Sequence, residues 1–327
     1  MAARSSIDDR LREVQRLRQE TDPALLQKGV SRALKDRANL VVADAAKIVR
    51  ELELIGFETE LLEAWKRMLV NPVKADPGCS AKTAIIEALG QLEYDEPDFY
   101  LKGIRYEQQE PAWGGSEDTA VNVRGASAFA IARSRWMGIV PRLTTLVNLA
   151  LHFGNSRSRV FAAQAMADTR REEAIPILRL MLGLSESNSE VMGACMTGLL
   201  ALAPQDYVPL VAAYLDSETE DVVLEAAAAL GTCSRPEAVA ALIAAWNRGA
   251  DPELQESLLI SMGLSREPAG FDFLTSLIKS NTRDSEIDLN AMKQLCVYPD
   301  LCQKVRDAVL QSRSPLLQGL FERRYGK

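Results

Sequence analysis

Residues 222–231 read VVLEAAAALG, residues 254–263 read LQESLLISMG, and residues 81–90 read AKTAIIEALG. Each opens on an apolar residue, keeps apolar residues at its centre, and places Leu or Met eight positions after the first, with Gly following. Apolar positions three or four and seven or eight after the first follow the period of a helix, not the alternation of a strand. Ala, Leu, Glu and Gln fill these stretches, and all are good helix formers.

The segment recurs along the chain. Pairing the first apolar position with the residue eight later gives Val41/Val49, Ala81/Leu89, Val123/Ile131, Val160/Asp168, Val191/Leu199, Val222/Leu230, Leu254/Met262 and Ile287/Leu295. Successive anchors lie 40, 42, 37, 31, 31, 32 and 33 residues apart, and Asp168 is the one polar second anchor. Self-similarity at such spacings marks a repeat array, and its helical contents make it a helical one. Another amphipathic helix fits before each copy, as at residues 174–183, 207–215, 236–246 and 271–278. Polar stretches at 185–190, 216–221 and 247–252 supply the turns within pairs. A lone hairpin cannot bury its apolar face, so the units must stack.

On this pattern the chain resembles the HEAT-repeat superfamily, including the bacterial HEAT-like repeats found in bilin lyases, over residues 24–300. The sharpest point of likeness is Asp118-Thr-Ala-Val-Asn-Val-Arg124. HEAT repeats often carry Asp and Arg six apart at the start of the second helix, where they link neighbours. Only the third copy has that pair intact. The residue after the anchor elsewhere is Val42, Lys82, Phe161, Met192, Val223, Gln255 or Asp288. The resemblance implies an all-α fold, a right-handed α-solenoid of about eight HEAT-like hairpins. It would have a charged N-terminal cap at 1–23 and capping helices with a tail at 301–327. With the ladder mostly missing, its cohesion should come from apolar packing.

Hydrophobic residues make up 47% of the 327, yet aromatics only 6%, which suits Ala- and Leu-rich helix interfaces. No apolar run reaches the ~18 residues of a transmembrane helix, and the first twenty residues lack a secretory signal's apolar centre. Cys79, Cys195, Cys233, Cys296 and Cys302 form no CxxC pair, read as small buried thiols, and suit a reducing cytoplasm.

The repeat is least regular in the third and fourth copies. Residues 108–116 (QQEPAWGGS) read as a loop with Trp113 at its tip. Trp113 either tucks against a neighbouring repeat or waits for a ligand. Gly114-Gly115 is a simple turn or an anion site before a helix. Ser116 or Asp118 would cap that helix, leaving Asp118 three roles: cap, partner of Arg124, or functional carboxylate. Residues 119–179 hold nine Arg, no Lys and three acids, a balance of +6, whereas residues 180–256 hold twelve acids and two Arg, a balance of −10. Arg124, Arg133, Arg135, Arg157 and Arg159 are either a carboxylate- or phosphate-binding patch or a solvated face. The second helices also carry Phe129, Phe161, Met166, Met192 and Met196 off their regular stripe. These residues line an adaptable groove or are buried by packing.

His152, the only histidine, follows a Leu-rich helix and reads as a helix-end residue. One histidine excludes the His-Glu pairs of HEAT-type di-iron hydroxylases, and no zinc spacing, phosphate loop or nucleophile elbow occurs. No cofactor is expected. The leading expectation is a non-enzymatic cytoplasmic scaffold that binds a partner peptide or helix. Trp113, Asp118, Arg124, Phe129, Arg133, Phe161, Met166, Met192 and Met196 would make the contacts. A bilin-lyase-type protein and an alkylpurine DNA glycosylase are the alternatives. The net charge of −7 disfavours nucleic acid.

Overall fold

Termination signals in the sequence set the helix ends, and their apolar faces set the stacking. The structure is a computed structural model that describes residues 6–153, 155–184, 188–249, 252–280 and 285–326. Its contacts divide the chain into two compact units, residues 1–169 and 170–327.

In the first unit, α1 (Ile7–Arg16) begins with a reciprocal cap between Ser6 and Asp9. Pro23 opens α2 (Pro23–Leu34) behind Asp22, whose carboxylate accepts the Ala24 and Leu25 N–H groups. The chain continues through α3 (Asn39–Glu51), α4 (Glu58–Leu69), the short α5 (Pro72–Ala75), α6 (Ser80–Gln91) and α7 (Pro97–Gly103). A two-stranded hairpin, β1 (Gln109–Ala112) with β2 (Gly115–Asp118), precedes α8 (Val121–Arg133), α9 (Ile139–His152) and α10 (Ser156–Asp168). The helices pair as α2/α3, α4/α6, α7/α8 and α9/α10, and the second members stack in the order α3, α6, α8, α10.

The second unit repeats the plan with α11 (Ile175–Gly183), α12 (Ser189–Leu202), α13 (Pro204–Ala213), α14 (Glu220–Thr232), α15 (Pro236–Asn247) and α16 (Pro252–Leu264). It continues with α17 (Pro268–Ser280), α18 (Ser285–Leu295), α19 (Pro299–Ser312) and α20 (Pro315–Tyr325). Proline opens α13, α15, α17, α19 and α20, where its missing N–H costs nothing. Gly231 of α14 meets α16 so closely that a Cβ there would lie 2.7 Å from Ser261 Cα. Residues 185–187 and 250–251 of two expected turns lie outside the described residues. Cys79, Cys195 and Cys233 are buried, whereas Cys296 and Cys302 are half-buried with their sulfurs 2.7 Å apart.

Among the described residues, eight helical hairpins match the eight sequence copies, with α19/α20 as a ninth. The fourth copy is displaced by two residues from its sequence assignment. Ser158, Ala162, Ala163, Ala165 and Met166 are buried, whereas Val160 and Asp168 are half-exposed. The anchors are therefore Ser158 and Met166. Asp168 breaks no rule, and the spacings around this copy become 35 and 33.

The ladder is also fuller than the sequence suggests. Asp36, Asp76 and Asp118 each stand five residues before an anchor. Asp76 accepts from Ala81 N (3.0 Å), Lys82 N (2.9 Å), Asn39 Nδ2 (3.0 Å) and Lys82 Nζ (3.0 Å). Both side chains of that pair are fully buried. Asp118 accepts from Gln108 N (3.0 Å), Ala120 N (3.1 Å) and Arg124 (2.6 Å). Of its three expected roles it fills the pairing with Arg124; its other bonds go to the turn before α8, whose first helical N–H groups take no side-chain cap. Asp36 accepts from Ala38 N and, through both carboxylate oxygens, from Arg10. Asn39 and the Gln108 side chain, which donates to Asp76 O at 3.0 Å, tie the first three hairpins together.

Stability measurements test these rungs. Asp76→Ala strands a buried ammonium and should destabilise the first unit by about 3–5 kcal/mol, read as a lower melting midpoint by circular dichroism. Asp76→Asn with Lys82→Met should recover part of that loss. At Asp118, burial pushes the carboxyl up, but the Gln108 and Ala120 N–H groups and Arg124 outweigh it and hold it below its ordinary value. Its contribution is therefore complete above the unfolded value near ~4 and is lost as pH falls through the lower folded value. The wild type should be more stable than Asp118→Asn at pH ~6, and the gap should close in strong acid.

Candidate functional site

The second helices of a stack are flanked by a first helix and two neighbours, which leaves little of each in water. In α3, α6, α8 and α14 the residues one and five after the anchor are buried: Val42 and Ala46, Lys82 and Ile86, Arg124 and Ala128, Val223 and Ala227. The open row lies six after the anchor, with Lys47, Glu87, Phe129 and Gln164, and in α10 it includes Phe161, three after the anchor. On that row, α8 and α10 carry two phenylalanines side by side. Phe129 and Phe161 meet edge to face with centroids 6.3 Å apart. Gly125 makes room, since a Cβ there would lie 2.7 Å from the Phe161 ring.

These two rings form one wall of a hollow of about 390 Å³ across α3, α6, α8 and α10. Its rim is polar: Asn122, Gln91, Thr83, the Arg50–Glu87 ion pair, and Arg133. Arg133 donates to Asp168 at 2.5 Å, and its guanidinium stands 5.9 Å from the Phe129 ring centre. Arg157 lies 5.6 Å from that of Phe161. A second hollow, of about 380 Å³, shares Gly90, Gln91, Ala130 and Arg133 with the first. Together they make a trough across the ends of α6 and α8. Among the residues named from sequence, Phe129, Arg133 and Phe161 come together here.

The others do not. Met166 and Met196 are fully buried, Met166 as the true second anchor of its copy and Met196 five after its own. They are core and present nothing to a partner. Met192 is half-buried on α12, in the other unit. Arg124 is 1% exposed; it donates to Asp118 and to Tyr106 O (2.8 Å) and lies over Phe153 at 4.0 Å from the ring centre. With its charge spent inside the fold, it cannot orient an acidic segment.

The expected loop at 108–116 is the β1–β2 hairpin, and the expected helix start at Ser116 is a strand. Gly114 takes φ +88° at the second turn position, a conformation suited to Gly. The base is fastened firmly: Glu110 accepts from Gly78 N (2.8 Å), Thr119 Oγ1 (2.6 Å) and Gln108 Nε2 (2.6 Å). Trp113 at the tip is 106% exposed, so it does not tuck against a repeat. It lines neither half of the trough. His152 ends α9 and borders a separate hollow with Arg105 and Phe153.

Sequence reasoning does not bring together Tyr94, Asp95, Tyr100 and Trp136, which line the second half of the trough. They belong to a turn, to the first helix α7 and to the α8–α9 connection, outside the repeating segment. The available signal is aromatic density in residues 94–106, YDEPDFYLKGIRY.

No family model matches the chain, and no curated protein matches it. Among solved structures it is similar to the complex of CpcE and CpcF of phycocyanin lyase from Nostoc sp. PCC7120, at 18% identity and TM-score 0.41, over 77% of this chain and 94% of that one. It is similar to YibA of Escherichia coli at 12% identity and TM-score 0.37, over 100% and 99%. It is also similar to human deoxyhypusine hydroxylase, in complex with glycerol, at 20% identity and TM-score 0.31, over 80% and 91%.

Proposed function

We propose that the protein is a non-enzymatic adaptor that holds an extended or helical segment of another protein in the trough of its first unit. The observation that carries this reading is the Phe129–Phe161 pair, partly open to water on a face where neighbouring repeats place Lys47 and Glu87. A purely solvated face gains nothing from adjacent half-exposed rings, whereas an interface core does. Arg133 and Arg157 beside the rings add the polar rim that fixes register without supplying most of the affinity. The hollow is lined by helix residues, so the contact surface is largely preformed. Among the described residues no helix is long and apolar enough to cross a membrane. A reducing cytoplasm suits the five cysteines.

A photoreactive benzoylphenylalanine at Asn122, in cells, should capture a discrete protein. The double change Phe129→Glu and Phe161→Glu should abolish that adduct while far-ultraviolet dichroism and the melting midpoint stay within normal surface-variant limits. The same probe at the exposed Val140 of α9 should give no such adduct. An adduct from both positions, or none from Asn122, overturns the reading. Loss of helicity in the double variant would make the rings core instead.

A further inference from the structure

The chain turns from α18 into α19 within three residues, and a cysteine stands on each side of that turn. Cys296 follows the last residue of α18, and its N–H still reaches back to Met292 O at 2.9 Å. Pro299 opens α19, and the Tyr298 carbonyl accepts from Leu301 N and Cys302 N, both at 3.0 Å. Helical hydrogen bonds therefore fix both cysteine backbones. The turn brings their side chains together: the Cys302 thiol donates to the Cys296 sulfur, with the sulfurs 2.7 Å apart. The sequence has no CxxC here, but a tight turn across six residues does the same work of bringing a second thiol within reach of the first.

Access separates these two cysteines from the rest. Cys79, Cys195 and Cys233 are buried, whereas Cys296 and Cys302 are half-buried and open to a small solute. Their sulfurs already stand near the ~2.05 Å of a disulfide, so a bond needs only a small side-chain shift. Burial first, then the Cys302 thiol, raises the pKa of Cys296, which therefore rests as a thiol at neutral pH. Tyr325 of α20 lies close by: burial and then Cys296, with a smaller part from Cys302, push its phenol up. The pair thus sits where α18, α19 and α20 pack on one another.

We infer that Cys296 and Cys302 form a redox-modification site, a dithiol that a low-molecular-weight disulfide such as glutathione disulfide converts reversibly to an intrachain disulfide. One cysteine thiolate attacks glutathione disulfide, a protein–glutathione bond forms, and one glutathione leaves as thiolate. The other cysteine thiolate attacks the protein sulfur of that bond, forms the Cys296–Cys302 bond and releases the second glutathione. The two thiol protons pass through water to the departing glutathione thiolates, and two electrons pass from the cysteine sulfurs to glutathione disulfide. The second step is intramolecular, so the mixed disulfide does not accumulate. The bond staples the α18–α19 turn beside α20, and excess glutathione reopens it. In a reducing compartment the pair rests as the dithiol. This site is independent of the trough.

The test treats the full chain with glutathione disulfide under native conditions, traps remaining thiols with N-ethylmaleimide in denaturant, and digests with trypsin. Lys293 and Lys304 place both cysteines in one peptide, residues 294–304 (QLCVYPDLCQK). That peptide should be lighter by two hydrogens and carry no maleimide, and it should return to the doubly alkylated form when dithiothreitol precedes the trap. Cys79, Cys195 and Cys233 should remain fully alkylated. Cys302→Ser should instead retain glutathione on Cys296, and Cys296→Ser on Cys302. In graded glutathione mixtures the native chain should hold the disulfide about tenfold more strongly than the chain in guanidinium chloride. By linkage, the oxidised chain should then melt above the reduced one. A peptide still doubly alkylated in glutathione disulfide alone, or a mixed disulfide that persists on the wild type, overturns the inference. So does a bond to one of the three buried cysteines, or a disulfide no stronger in the native chain than in the unfolded one. The wild-type comparisons decide the matter even where a serine variant fails to fold.

Discussion

The carboxylate five residues ahead of the first three anchors is the constraint on which the first unit depends. Asp76 is the clearest case, because it and Lys82 are both wholly removed from water. A buried ion pair is tolerable only when the remaining lone pairs and protons are also engaged. Asp76 meets that condition with two helix N–H groups, the Lys82 ammonium and the amide of Asn39 at the start of α3. A well-packed apolar pair could supply as much stability, but it would not fix α6 against α3 in one register. The carboxylate is thus cap, counterion and cross-repeat link in one group.

The next hairpin hangs from that point. Gln108 reaches the Asp76 carbonyl, and the Tyr106 hydroxyl donates to Gln108 at 2.8 Å. Tyr106 in turn gives its carbonyl to Arg124, the next rung. Glu110, bonded to Gln108 and Gly78, fastens the β-hairpin to the same spot. These contacts position α7 and the start of α8, and so the aromatic cluster of Trp65, Phe99, Tyr100 and Trp136. The fourth hairpin replaces aspartate with Phe153 and meets Arg124 through its ring face instead. The ladder ends there by changing from a salt link to a cation–ring contact.

The helical hairpins are legible in the sequence because their period is enforced by burial, and burial acts on many residues at once. Single positions are less legible. Ser158 occupies a buried anchor, and the nearby half-exposed Val160 is a more conspicuous apolar residue, so apolar spacing alone sets this copy two residues late. That slip makes Asp168 look like a defect when it is the counterion of Arg133. Lys82 hides the second rung because a lysine stands where the likeness calls for arginine. The apolar stripe points to residues one, two, five and six after the anchor as the open face, but stacking on both sides covers one and five. Met196 disappears into the core for that reason, while Phe129, six after its anchor, stays open.

The hollow at Tyr100 is illegible for a different reason: it is made by absence of volume as much as by residues. Gly90 ends the apolar stripe of α6 and faces α8 closely, since a Cβ there would lie 3.4 Å from the Ala130 Cβ. Those two small residues form the shared boundary of both halves of the trough. In the repeat pattern, Gly90 and Gly231 are the same glycine after the last apolar residue. The two glycines perform different tasks: Gly231 lets backbones touch, whereas Gly90 borders an open space. That distinction depends on what the adjacent helix offers, Ser261 in one case and Ala130 in the other, and no spacing rule within one repeat contains it.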